Sequence, residues 1–459
     1  MQMRHFLKLP LLVLALAACA GATVYRVGPD EEYSRISEVA PRLRAGDVVE
    51  VTGDITDSFR VTASGSAVNP ITIRGITRVE NGRIVRPKVS IEPHANTLVL
   101  SRGDWLIFEG LAFDGKDGGF EGRTSGLRHD GDFLTLRNCS FRYFSHRAIS
   151  SAPEAGSIKI EFCEFDSNGR APHRHIVDIW SFTSGSTMTV EHCWFRDGTG
   201  GALLRSRATR NVIRYNWFEN PYITCLSVVG PMEWQGQEDS YDHLYPMHTD
   251  IVGNVFFQGW SPGTLYAVMM LGGEEERTPG TEGDFHIAHN LFVSTRTRTK
   301  AMPADQPPAV HLRVFGNVDR VIAYNNVFLE YGACETGVYI SGVTWDTPRT
   351  RAFQQRRGHG EPVVEGANNW VSAKSTGIPE GFLNTLSGIN PHFVDLVNFD
   401  FRPTRDSPLA GTGAWPLPEG RIVELVPEYE PQRGIPADLS PRRRRRAVPP
   451  SIGPFEAAE

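Results

Sequence analysis

Arg205 and Arg207 stand two residues apart in "GALLRSRATRNVIRYNWF" (201–218), a run that otherwise has the composition of β-strand. Strand side chains alternate between faces, so both guanidinium groups are expected on one face. A planar guanidinium fork matches a carboxylate through paired N–H bonds. Upstream, "APHRHIVDIW" (171–180) supplies His173, His175, Asp178 and Trp180. An imidazole titrates near neutrality and can take a proton. These types suit proton abstraction next to a carboxylate whose charge the arginines neutralise as an enolate-like anion develops. Arg205 and Arg207 are the expected clamp and His175 the expected base. His173, Asp178, Trp180 and Arg313 are expected to bind substrate. Tyr241, on a long loop, is a further candidate there, placed to protonate a leaving oxygen.

A repeat must position these residues. "LTLRNCSF" (134–141), "IKIEFCEF" (158–165), "MTVEHCWF" (188–195), "NVIRYNWF" (211–218), "TDIVGNVF" (249–256) and "FHIAHNLF" (285–292) share an aliphatic residue, then Cys or Asn, one residue, and Phe. "VIAYNNVF" (321–328) fits with one extra residue, and "VEGANNWV" (364–371) is a degraded last copy. The Cys/Asn positions from 139 to 290 advance in steps of 24, 30, 23, 38 and 36 residues. The shorter steps suit one coil of a β-solenoid, and the longer ones a coil plus a loop. Coils stack about 4.8 Å apart, so like residues form columns. Phe141, Phe165, Phe195, Phe218, Phe256 and Phe292 are expected to stack inside. Asn tolerates a left-handed turn, and its amide can bond the next Asn along the axis. Cys139, Cys163 and Cys193 take that slot in the early coils; export would permit a disulfide, but stacked free thiols are the simpler reading. No Cys/His spacing suits zinc, and no structural metal is expected.

The 459 residues, 40% apolar, can bury a large core, and the net charge of -6 argues against nucleic acid as partner. Only six lysines occur, so few candidates exist for a lysine base. "MQMRHFLKLPLLVLALAACAGAT" reads as a secretory signal, and Leu16-Ala17-Ala18-Cys19 as a lipobox that would make Cys19 the lipidated residue. The expected organisation is a signal at 1–23, the solenoid at 24–415 and a Pro/Arg-rich extension at 416–459, either a strap or disorder. An exported protein is therefore expected, periplasmic or at the outer membrane or cell surface of a bacterium. Its only membrane contact would be an N-terminal lipid.

The repeat resembles the right-handed parallel β-helix of the pectate-lyase-like superfamily. "VYRVGPD" (24–30) and "NPITIRG" (69–75) resemble its entry coils, and "NPHFVDLVNFDFRPTRDSPLAGTG" (390–413) its exit. The resemblance implies an all-β fold with three strands per coil and the Asn ladder between the second and third. First strands then fall at 147–151, 175–180, 202–207, 225–230, 266–271, 310–315 and 337–341. Long segments lie after them (230–247, 273–283, 344–362) and before them (122–131, 168–174, 295–308), and would wall a groove. Leu203, Arg205 and Arg207 would face out, as would Ile176, Asp178 and Trp180. Met269 and Met270 would make part of the groove floor apolar.

Many exported bacterial β-helix proteins carry "GHxHNIYIG" one coil before "GHLIKSRA". Here His173, His175, Ser206 and Arg207 keep that pattern, while Arg205 replaces its lysine, Ala202 a histidine and Asp178 a tyrosine. The resemblance implies a lyase that cleaves an acidic, uronate-containing polysaccharide by β-elimination. Arginine in place of lysine weakens one route to the base, since guanidinium rarely gives up its proton. A C5-epimerase would share the proton abstraction. A glycoside hydrolase would need two facing carboxyl groups, and the first strands offer essentially Asp178. A non-catalytic glycan-binding or envelope protein is the other class. No cofactor is expected; calcium could assist, but "GGEEER" (272–277) reads equally as a solvated loop and no metal site is assigned.

Overall fold

The computed structural model describes residues 21–116, 123–170, 176–179, 186–230, 247–259, 267–272, 281–295, 309–314, 318–331, 338–343, 363–373, 375–415, 421 and 423–458. Three parallel sheets of 10, 13 and 12 strands run along one axis. One coil supplies a strand to each in turn, as Ala202–Ser206, Arg210–Arg214 and Trp217–Glu219 do. The coil after it pairs in parallel with all three. The first, second and third strands of each coil thus build the first, second and third sheets, and the fold is a right-handed parallel β-helix.

The inner columns explain the repeat. Phe113, Phe141, Phe165, Phe195, Phe218, Phe256, Phe292 and Phe328 stack with successive ring centroids 4.6 to 5.3 Å apart. Each stacked pair contributes on the order of 1 kcal/mol beyond the area it buries. Phe113 closes "LIFEGLAF" (106–113), a coil that the Cys/Asn pattern missed because buried Leu111 occupies the ladder slot. "VIAYNNVF" needs no extra residue: Phe328 pairs with Phe292, and Asn326 takes the ladder position.

Asn216 shows what the ladder does. Its Nδ2 donates to Val190 O of the preceding coil (2.8 Å) and to Asn254 Oδ1 of the next (3.0 Å), while its Oδ1 accepts from Cys193 N (2.9 Å). Asn254, Asn290, Asn326 and Asn369 continue the chain. The cysteines imitate it with free thiols: Cys193 Sγ donates to Ile160 O at 3.6 Å and accepts from Cys163 N at 3.4 Å. The left-handed conformation, however, belongs to the residue before the ladder. Phe162, His192, Tyr215, His289, Asn325 and Asn368 have φ between 52° and 62°. Ladder asparagine is therefore selected for its amide and not for its backbone.

Three sequence expectations about the first sheet change. Ile176 and Leu203, expected to face out, are buried in the main core. Residues 122–131 are not simply a loop, because Ser125–His129 is a first-sheet strand, paired with Thr97–Ser101 and Arg147–Ser151. Met269 lies in the inner column between Leu226 and Leu312, so only Met270 takes the outward register.

The C-terminal extension folds as a strap on the turn between the second and third sheets. Leu425 packs on Val252 and Ala288. The Tyr429 ring meets His192 and Tyr215 edge-on, at 5.4 and 5.5 Å between centroids. Ile452 and Phe455 join a core with Trp217, Trp370 and Phe401. Within the arginine run, Arg444 is buried and pairs with Glu456 at 2.9 Å. Arg442 pairs with Glu430 and Arg443 with Glu428. Three arginines of the run are thus held in ion pairs.

Candidate functional site

The outward column of the first sheet reads Leu100, Arg128, Ser150, Asp178, Arg205, Ser227, Met270 and Arg313 in successive coils. Alternation places Asp178 and Arg205 outward because Val177 and Leu204, beside them, fill the inner column. Neighbouring rungs bring the two side chains together. Arg205 Nε donates to Asp178 Oδ1 at 2.8 Å and Nη2 donates to Oδ2 at 3.1 Å. Arg147, which opens the strand one coil earlier, places its Nε 2.9 Å from Asp178 Oδ2. Asp178 has no exposed side-chain surface, whereas Arg205 keeps 12% and Arg147 22%. One carboxylate thus orients the Arg205 guanidinium through two hydrogen bonds and lies within ion-pair distance of Arg147.

Arg207 departs from its expected place. Arg207 is only 4% exposed and donates from Nη1 to the carbonyl of Gly230. It does not present a solvent-facing fork beside Arg205. Arg313 occupies the same column as Arg205, three rungs on, which is about 14 Å along the axis. His173, His175, Trp180, Tyr241 and Cys19 lie outside the described residues, as do most of the long segments flanking the first strands.

Arg147 was not singled out from the sequence. Its signal was position: it opens the first strand one coil before Asp178, within reach of the outward carboxylate. Two other histidines on this sheet lie buried. His129 Nδ1 lies 3.0 Å from Ser101 Oγ, and burial pulls its pKa down to about 4. His311 sits among Phe292 and Phe328, and burial pulls its pKa down to about 3. Both are neutral at physiological pH and face away from the groove column. Among the described residues, no three His, Cys, Asp or Glu side chains converge as a metal site.

The architecture defines a right-handed parallel β-helix with a polar, charged cluster on the outer face of one sheet. Residues 71–233 match the family model described as a right-handed β-helix region. No curated protein matches the sequence. Among solved structures, the chain is similar to an alginate lyase from Paenibacillus sp. strain FPU-7, at 12% identity, over 67% of this chain and 94% of that one, with a TM-score of 0.43. The pectate lyase Pel9A is 10% identical over 96% of this chain and 97% of its own, with a TM-score of 0.44. The PL6 family polysaccharide lyase Pedsa3628 from Pseudopedobacter saltans is 15% identical over 81% and 92%, with a TM-score of 0.43. Any activity has to be argued from this chain's own residues.

Proposed function

We propose that this is a polysaccharide-active β-helix protein that grips a uronate-containing chain on the outer face of its first sheet and cleaves it by β-elimination. The observation that carries the reading is the Arg147–Asp178–Arg205 cluster. Two guanidinium groups set against one carboxylate suit a carboxylate ligand, and Asp178 holds the Arg205 guanidinium in fixed orientation through two hydrogen bonds before substrate arrives. Neutralising the uronate carboxylate acidifies the proton at C5. A base then removes that proton, the electron pair forms the C4–C5 double bond, and the 4-O substituent leaves with a proton. His175 is the residue proposed as base and Tyr241 the donor to the leaving oxygen.

A second reading, binding without cleavage, is favoured by one observation. Arg205 already spends Nε and one Nη on Asp178. Incubating the purified protein with alginate and polygalacturonate, while following near-ultraviolet absorbance, separates the readings. Rising absorbance from the new double bond supports elimination. Retention on the polymer without product supports binding alone, and neither effect sinks both.

A further inference from the structure

A second column of aromatic rings lies at the corner between the first and second sheets, and it stops short. Leu106, Leu134, Ile158, Met188 and Asn211 are in register, so the residues before them, Trp105, Phe133, Ser157, Thr187 and Arg210, form one column. Trp105 and Phe133 stack with centroids 3.8 Å apart and planes at 18°. The next two rungs carry only hydroxyl side chains, so the far side of the Phe133 ring faces a slot. That slot has a volume of about 290 Å³; Trp105, Phe133, Ala67, Pro70 and Ile107 line it on the earlier rungs, and Thr135, Ser157, Lys159, Thr187 and Thr189 on the later ones.

Two other aromatic columns among the described residues are closed. The phenylalanine ladder is inside, and the Phe162–His192–Tyr215 stack is covered by Tyr429 of the strap. Phe133, by contrast, is 39% exposed. An open ring face followed by hydroxyl groups at one-rung spacing matches a pyranose, which has an apolar C–H face and a hydroxyl rim. Lys159 is the charged residue lining the slot, 46% exposed, with its Nζ 2.7 Å from the Glu161 carboxylate. A saccharide bearing a carboxylate complements that ammonium, while Glu161 can accept from a sugar hydroxyl.

We propose that this slot is a second saccharide-binding site, taking one acidic sugar residue stacked on Phe133 with its carboxylate toward Lys159. It lies around the corner from Asp178 and would hold a polymer whose neighbouring part lies on the first sheet. The site goes beyond the first-sheet reading and does not require it.

The test uses the full-length protein and a fluorescently labelled polygalacturonate oligosaccharide, with binding read by anisotropy. Phe133→Ala is expected to weaken binding 5- to 20-fold, and Phe133→Trp to preserve it. Thr187→Trp, which fills the slot from its later rungs, is expected to weaken binding as much as Phe133→Ala. Unchanged binding in both Phe133→Ala and Thr187→Trp overturns the proposal, as does equal affinity for a neutral glucan oligosaccharide. Arg205→Ala separates the two sites. If it leaves binding intact while Phe133→Ala reduces it, the slot stands and the first-sheet reading falls. The reverse pattern removes the slot and leaves the first-sheet reading.

Discussion

Asp178 and Arg205 form a two-point ion pair across adjacent coils, with N–O distances of 2.8 and 3.1 Å and no exposed surface on the carboxylate. Arg147 approaches the same carboxylate from the coil before. Removing the acid and removing one base are therefore unequal changes. Asp178→Ala removes the carboxylate that both poorly solvated guanidinium groups approach and is expected to cost about 3–5 kcal/mol. Arg205→Ala leaves Asp178 its partner Arg147 and is expected to cost less than half as much. Chemical denaturation of both variants checks the order, and equal losses would contradict it.

The asparagine ladder should be sensitive at its middle. Asn254 Nδ2 donates to Ile213 O and Asn290 Oδ1, and its Oδ1 accepts from Asn216 N and Nδ2, all in a fully buried slot. Asn254→Ala strands several of those groups and is expected to cost at least about 2–3 kcal/mol. Cys163→Ala, which loses only long sulfur contacts of 3.4 to 3.6 Å, should cost distinctly less. Melting temperatures of the two variants decide the point.

Much of this fold is legible in the sequence, because stacking at one-rung spacing forces like residues into columns. The phenylalanine column and the ladder from Asn216 onward could be read directly. The first three ladder positions after Leu111 were legible because cysteine substitutes for asparagine as both donor and acceptor. Leu111 does neither, so its coil was hidden. Strand parity placed Asp178 and Arg205 outward but did not state their partners, although opposite charges one rung apart will pair. Nor does parity state what covers a side chain: Arg207 is 4% exposed and donates to the Gly230 carbonyl. The extension was expected as a strap or disorder, but the strap's contacts were illegible because they are aromatic and ionic and fall on a turn, with no repeat to announce them.

Buried histidine should make the helix acid-sensitive. His311 is neutral in the folded protein, with its pKa pulled from 6.5 to about 3, and both ring nitrogens lack a hydrogen-bond partner. The unfolded chain binds a proton below about pH 6.5, so the unfolded state gains protons first as pH falls. The stabilisation is complete above 6.5 and is lost progressively toward pH 3. His311→Phe should flatten the loss of unfolding free energy over that window, by a few kcal/mol at its lower end, as read by chemical denaturation at each pH. Parallel curves for wild type and variant would contradict the assignment.

The strap should depend on one buried pair. Arg444 is 1% exposed at its side chain and faces Glu456 at 2.9 Å. Glu456→Gln removes that countercharge and is expected to raise the rate of proteolytic cleavage within residues 423–458 severalfold, with the helix left intact. Limited proteolysis followed by mass spectrometry reads this out.

The central claim is that the first-sheet cluster recognises a uronate carboxylate. Its most direct test is the affinity of a uronate oligosaccharide for wild type and for Arg205→Ala, with slot variants Phe133→Ala and Thr187→Trp as the background. In that background, where the aromatic slot contributes nothing, Arg205→Ala should reduce affinity at least 10-fold and flatten its dependence on salt. An unchanged affinity and an unchanged salt dependence would show that the cluster is structural and that the first sheet does not hold the sugar.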